Sequence, residues 1–358
     1  MLFLLLSCST FVFAQVPADI EILDRAVTLD SINLHASVTK PRAPGRYPAV
    51  LVISGLGCYP LPHSDHDEPF NRFRYGLSQR GFVTMWVEKN GEGSSQGQAC
   101  DSAQSDLQFA ASRSIAGLKA LATYDFVDRD NIFIFAHSIG PMEGVLVAEK
   151  FPVRAFIAAE TIGKSWYEYQ LENTRRQLLL LGRPYDAVEK AARTVARCQY
   201  HFFTEKQTPE QVIKNDPDCR ESVRTFGVSA SYLQQIADLD LAAEWKKIDV
   251  PVLVTWGTSD ALTSADESRY LTEMINSFHP HRATYEEFKD MGHGLDLWPS
   301  QKAFLESSGK KQDAPFDTEF LRKVADWLKQ NLCRPHASPK PGESVGHPAN
   351  APFPRILE

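Results

Sequence analysis

The stretch from Asn131 to Gly144, N-I-F-I-F-A-H-S-I-G-P-M-E-G, constrains the fold of this chain more than any other. Ile132 to Phe135 is a wholly apolar run of β-branched and aromatic residues, the composition of a short strand buried on both faces. It gives way to Ala136-His137-Ser138-Ile139-Gly140, and from Pro141 onward the pattern is helical, with proline in the first turn where its missing N–H is not needed. A strand that turns so sharply into a helix needs small side chains two residues before and two after the apex. Ala136 and Gly140 meet that demand and leave Ser138 at the tip of the turn.

On either side of this turn the chain alternates strand and helix patterns. Ile20 to Pro41 reads as two alternating runs joined near Asp30-Ser31, an antiparallel hairpin. Tyr47 to Ile53 is a buried strand that runs into Ser54-Gly55-Leu56-Gly57-Cys58. Phe70, Phe73 and Leu77 follow at helical spacing, with Gly81 to end the helix. Phe82 to Val87 is another strand, and Asp106 to Ala122 an amphipathic helix. Beyond the central turn come strands at Val153 to Ala159, Val250 to Trp256 and Thr284 to Phe288, and a closing helix on Phe320, Leu321, Val324, Trp327, Leu328 and Leu332. Such alternation predicts a mostly parallel sheet with helices on both faces, an α/β fold. Between the strands at 153–159 and 250–256 lie about 90 residues without a strand pattern, far more than a crossover needs. They read as helices over Trp166–Leu181, Tyr185–Phe203, Pro209–Lys214 and Ala230–Lys247.

With its strand, turn and helix, the Ala136–Gly140 segment resembles the nucleophile elbow of the α/β-hydrolase superfamily, with Ala136 in place of the first glycine of G-x-S-x-G. The resemblance spans about 20–335 and implies a doubly wound, eight-stranded sheet. Residues 15–160 and 250–335 would form the core, and 161–249 a helical cap over the active site. It also implies a nucleophile, an acid and a histidine in that chain order. Ser138 is the nucleophile, Asp260 follows the 250–256 strand, and His293 sits between glycines in Met291-Gly292-His293-Gly294 after the last strand. Each falls at the sheet's carboxyl edge, where open α/β sheets bind ligands. Asp266 and Asp290 remain alternative acids, whereas His279 and His281 precede the last strand, at the wrong edge. The oxyanion of an acyl-transfer intermediate needs two backbone donors. Ile139, next to Ser138, supplies one, and Leu56 is the expected source of the other.

The resemblance points to a serine hydrolase for carboxylic esters that works through an acyl-enzyme, without cofactor or metal, on a small-molecule acyl substrate. Peptidase, thioesterase and acyltransferase chemistry are alternatives on the same fold, and a non-catalytic binding protein is the alternative of another class. Serine in place of aspartate at 138 argues against a dehalogenase. Leu61-Pro62-His63-Ser64-Asp65-His66 resembles a metallo-hydrolase motif that has lost its first histidine, and reads better as a solvated loop. His137, beside the serine, is expected to pack.

A net charge of −7 and the lack of long basic clusters exclude a nucleic-acid partner. Met1 to Ala14 is apolar and ends Val12-Phe13-Ala14, a leader with a small-residue cleavage site, too short to span a bilayer and predicting export to the periplasm or medium. Arg334 to Glu358 is proline-rich without periodicity, and 336–358 is expected to be a disordered tail. Export permits disulfides. Cys58 and Cys100 lie on loops leaving the same edge of the sheet and are predicted to pair; Cys198 with Cys219 is the second candidate pair, and Cys333 the free thiol.

Overall fold

A computed structural model describes residues 16–62, 66–307 and 314–333. The leader over 1–14, the tail over 336–358 and the His63-Ser64-Asp65 part of the metal-like motif lie outside the described residues.

The two alternating runs form β1 (Ile20–Leu29) and β2 (Ile32–Pro41), paired antiparallel along their whole length around Asp30, whose φ of +51° lies in the left-handed region that Asp tolerates. The apolar runs form β3 (Tyr47–Ile53), β4 (Val83–Val87), β5 (Val127–His137), β6 (Ala155–Ala159), β7 (Val252–Gly257) and β8 (Ala283–Phe288). They make one eight-stranded sheet in the order β1-β2-β4-β3-β5-β6-β7-β8, parallel from β4 to β8. Two boundaries differ from the apolar pattern. β5 begins earlier than its hydrophobic run, because Val127 already pairs with Tyr47, and a register shift before the Ala49–Ile132 pair leaves the exposed Arg129 and Asp130 without ladder partners. β7 starts only after Pro251, which has no N–H for the ladder.

In chain order the helices of the first half are α1 (Pro69–Gln79), α2 (Leu107–Leu121) and α3 (Gly140–Lys150). The helices α4 (Trp166–Leu180), α5 (Tyr185–Gln199), α6 (Pro209–Asn215), α7 (Ala230–Asp238) and α8 (Leu241–Trp245) fill the stretch between β6 and β7. After β7 come α9 (Ala265–Phe278), α10 (Gln301–Ser307) and α11 (Thr318–Gln330). Phe73 and Leu77 of α1 join Phe320, Val324 and Leu328 of α11 on one face of the sheet, against Phe133, Phe135 and Ile157. The Phe73 and Phe135 rings lie 4.4 Å apart, so truncating Phe73 to Ala would cost roughly 3–5 kcal/mol. On the other face, Leu118 of α2, Val145 of α3 and Ile275 of α9 cover Leu51, Ile134 and Val254.

The helix expected over Ala230–Lys247 is two helices. Leu239 is extended (φ −67°, ψ 121°), and the Asp240 carboxylate caps α8 by accepting from the Ala243 N–H at 3.0 Å. An Asp side chain that competes for backbone donors breaks the helix where hydrophobic spacing alone would continue it. α5 ends in a π-turn over Tyr200–Thr204 that buries Phe202 and Phe203. Disulfides join Cys58 to Cys100 (Cα–Cα 5.7 Å) and Cys198 to Cys219 (5.3 Å), and Cys333 is free and exposed. Among the described residues no helix is long and apolar enough to cross a membrane.

Candidate active site

From β3 the chain leaves toward β4, and from β5, its other neighbour, toward β6 on the opposite side. The loops diverge there and open a crevice at the carboxyl edge of the sheet. Ser138 stands at this point with φ +62°, a left-handed backbone that a non-glycine residue holds only when its surroundings impose it. Its N–H donates to the Ala159 carbonyl at 2.9 Å, and its own carbonyl accepts from the Thr161 hydroxyl at 2.6 Å. Close packing sets the small residues around it. A Cβ on Gly140 would stand 2.8 Å from the Ile53 carbonyl oxygen, and one on Gly55 would stand 2.9 Å from the Ser138 Cβ. Ala136 is fully buried, its methyl group accommodated against Gly144.

The loops after β7 and β8 are held backbone to backbone. Thr258 N–H donates to Phe288 and Ser259 N–H to Met291, and a Cβ on Gly257 would lie 2.2 Å from the Met291 oxygen. This packing brings Asp260 beneath His293. His293 Nδ1 lies 3.0 Å from Asp260 Oδ2, and its Nε2 lies 2.9 Å from Ser138 Oγ. Asp260 is fully buried; its Oδ1 accepts from the N–H groups of Leu262 (2.7 Å) and Thr263 (3.1 Å), and its Oδ2 from the Thr263 hydroxyl. Burial alone would raise its pKa. The charge of His293 and the hydrogen bonds from His293, Thr263 and Leu262 outweigh burial and hold the carboxylate below its ordinary range.

The alternative acids stay away from the histidine. Asp266 lies exposed in the first turn of α9 and pairs with Arg269, and Asp290 is exposed. His279 bonds the Lys246 carbonyl, and His66 bonds the Tyr75 hydroxyl at 2.9 Å. Leu56 and Ile139 both line the cavity at Ser138, and neither N–H donates to another backbone group among the described residues. His137 is buried and donates from Nε2 to the His293 carbonyl at 2.7 Å, with Phe70 edge-on at 4.9 Å. Burial, and next the neighbouring His293, push its pKa down to about 3, so its ring is neutral.

Sequence reasoning missed Glu160. It follows β6 directly, is fully buried, and accepts from the Gly257 N–H at 2.9 Å and the Thr255 hydroxyl at 3.3 Å. The available signal was a lone acidic residue at the end of the apolar strand Ala155–Ala159, the kind of position that Asp260 holds near β7.

The cavity over Ser138 has a volume of about 510 Å³. Leu56, Ile162, Trp166 and Phe226 supply apolar wall, and Gln170, Asn173, Thr174 and Gln177 of α4 supply neutral polar groups. Among the described residues no Asp, Glu, Lys or Arg lines it. Of the aromatic residues between β6 and β7, Trp166, Tyr169 and Phe226 face this cavity. Phe202 and Phe203 are buried in the core, Tyr167 packs against it and donates to the Ala196 carbonyl, and Tyr200 is half exposed.

The sequence profile of the Hydrolase_4 family, described as "Serine aminopeptidase, S33", matches residues 61–295, well over half of the chain. This chain is a Hydrolase_4 α/β-hydrolase. A comparison with curated proteins returned no match. Solved structures share the Hydrolase_4 chain's fold at low identity. They include a 2,6-dihydroxy-pseudo-oxynicotine hydrolase, with a TM-score of 0.51 at 16% identity, covering 87% of this chain and 68% of that one. Est1E from Butyrivibrio proteoclasticus, solved with ferulic acid bound, has a TM-score of 0.51 at 16% identity, covering 86% and 96%. Acetyl xylan esterase 1 from Thermoanaerobacterium sp. has a TM-score of 0.50 at 15% identity, covering 88% and 85%.

Proposed function

We propose that this Hydrolase_4 protein is a serine hydrolase that cleaves carboxylic esters through an acyl-enzyme, with Ser138 as nucleophile, His293 as base and Asp260 as the acid that orients it. The observation that carries the reading is the continuous relay from Ser138 Oγ through His293 to Asp260, at 2.9 and 3.0 Å, opening into a mostly uncharged cavity. Ser138 Oγ attacks the ester carbonyl carbon and its proton passes to His293 Nε2. The carbonyl π pair moves onto oxygen, where the Leu56 and Ile139 N–H groups stabilise it. As the tetrahedral intermediate collapses, the C–O bond to the alcohol breaks and His293 returns the proton to the leaving oxygen. Water then repeats the sequence on the acyl-Ser138 ester, releasing the acid. Asp260, kept ionised, holds the Nδ1–H tautomer and stabilises the imidazolium.

The wall favours esters over peptides with a free amino terminus. An ammonium group needs a carboxylate partner when it leaves water, and none lines the cavity among the described residues. Residues 161–249 act as a cap: α4 forms one wall, and its Gln177 amide donates to the Ala261 carbonyl at 3.1 Å, beside Asp260. We also read the protein as exported, since its two disulfides suit an oxidising compartment. The test is a panel of p-nitrophenyl esters, aminoacyl p-nitroanilides and acyl thioesters. The expected result is a kcat/KM at least about 10²-fold higher for an ester than for any anilide. An aminoacyl anilide as the best substrate contradicts it.

A further inference from the structure

Lys89 follows β4, the neighbour of β3 on the side away from Ser138. Its half-buried side chain reaches across the end of β3, and the ammonium donates to the carbonyl oxygens of Gly55 at 2.9 Å and Gly57 at 2.5 Å. The Tyr59 ring lies 5.5 Å from Nζ. These two carbonyls flank Leu56. The Gly55 carbonyl and the Leu56 N–H belong to one peptide unit, and the described chain has no cis peptide bond. In a planar trans unit the C=O and N–H point in opposite directions, so a cation on the oxygen fixes the direction of the N–H. It also draws electron density toward that oxygen and makes the N–H a stronger donor. Gly55 has little room to shift toward the serine, since even a Cβ on it would stand 2.9 Å from the Ser138 Cβ.

We propose that Lys89 is a positioning residue for the oxyanion site: it clamps and polarises the Gly55–Leu56 peptide so that the Leu56 N–H meets the negative oxygen of the tetrahedral intermediate. This rests on the reading of Ser138 as the nucleophile. Lys89 touches neither substrate nor reacting atoms; it acts through the peptide. The charged groups around it are Arg113 of α2, Glu143 of α3 and Glu92 of the loop after β4. Arg113 and Glu143 are buried and paired with each other at 3.2 Å. Burial pushes the Lys89 amine down to about 7, Arg113 adds to the fall, and Glu143 and Glu92 oppose it. Assays near neutral pH therefore keep a charged population.

The experiment compares wild type, Lys89→Met and Lys89→Arg on p-nitrophenyl butyrate, together with affinity for a trifluoromethyl ketone, which forms a tetrahedral oxyanion on the serine. The expected result for Lys89→Met is a kcat lower by about 10- to 100-fold with KM changed less than about threefold, because the lost stabilisation belongs to the transition state. Ketone affinity falls by a matching factor, and Lys89→Arg recovers most of both. A merely structural lysine would not tie kcat to ketone affinity. If Lys89→Met does not fold, Lys89→Gln, which keeps a donor without the charge, takes its place. A folded neutral variant with kcat and ketone affinity within about twofold of wild type overturns the proposal. A wild-type chain that turns over no ester overturns the Ser138 reading instead, and with it this one; the two failures separate because the first shows only in the variant.

Discussion

Glu160 and Asp260 bring two fully buried carboxyl groups together behind the site, and Asp260 is the one that reaches His293. Burial, then the Asp260 charge, raise the Glu160 pKa well above its ordinary value. The rise favours the neutral acid at Glu160 beside an ionised Asp260, and the Glu160 oxygens take the Gly257 N–H and the Thr255 hydroxyl.

Glu160→Gln reproduces that neutral state and should keep activity within about fivefold of wild type, whereas Asp260→Asn should lose about 10³-fold or more in kcat. Glu160→Ala leaves the Gly257 N–H unpaired in the interior and should cost about 1–3 kcal/mol in urea unfolding. Equal inactivation by Glu160→Gln and Asp260→Asn would mean that Glu160 is the acid that serves His293.

His137 gives the fold an acid-labile element. Its folded pKa is near 3 against an ordinary value of 6.5, so between these values the unfolded chain takes up the proton first. The stability it contributes is whole above pH 6.5 and is lost as pH falls toward 3. At about 1.4 kcal/mol per unit, the advantage of wild type over His137→Gln should shrink by a few kcal/mol between neutral pH and about pH 4. Urea unfolding at both pH values measures this, and a pH-independent difference contradicts the buried neutral ring.

The Cys58–Cys100 bridge closes a 42-residue separation just beyond Leu56. Loop-entropy arithmetic makes it worth up to about 4 kcal/mol. Mild reduction, or Cys58→Ser with Cys100→Ser, should lower the melting temperature and, by loosening the oxyanion loop, lower kcat. Peptide mapping of the unreduced protein checks the bridge itself: alkylation of both cysteines without a reductant would remove it from the account.

Phe226 lines the cavity although its side chain is half exposed, so its truncation should change selectivity more than stability. Phe226→Ala should alter the ratio of kcat/KM for long and short p-nitrophenyl esters by about tenfold, with unfolding shifted by less than about 0.5 kcal/mol. Buried Trp166, by contrast, should affect both. An unchanged preference ranking in both variants would reduce this wall to packing.

The inner strands of the sheet were legible because they are buried on both faces and therefore read as unbroken apolar runs, as at Val50–Ile53 and Ile132–Phe135. The elbow was legible because backbone crowding at Gly140 admits no larger side chain. The polar start of β5 was hidden, since the exposed Arg129 and Asp130 fall in an irregularity between the Val127 and Ile132 pairings that no apolar pattern marks. The break at Leu239 rests on the choice of one Asp side chain between water and a helix end. Glu160 and Lys89 were missed for a shared reason: each acts on a partner distant in sequence, Gly257 and Gly55, and no local pattern records such a contact. Which aromatic residues between β6 and β7 face the cavity depends on how α4 packs, and that is a tertiary property.

Reaction with a fluorophosphonate tests the central claim most directly, because it requires an activated serine and reports its position. One adduct per chain, mapped to Ser138 by mass spectrometry of the digest, is the predicted result. Its appearance should match the loss of esterase activity, and it should be absent from Ser138→Ala and slowed by about 10³-fold in His293→Ala. A folded wild-type protein that stays unlabelled, or a Ser138→Ala variant that hydrolyses esters at near wild-type rates, would contradict the account.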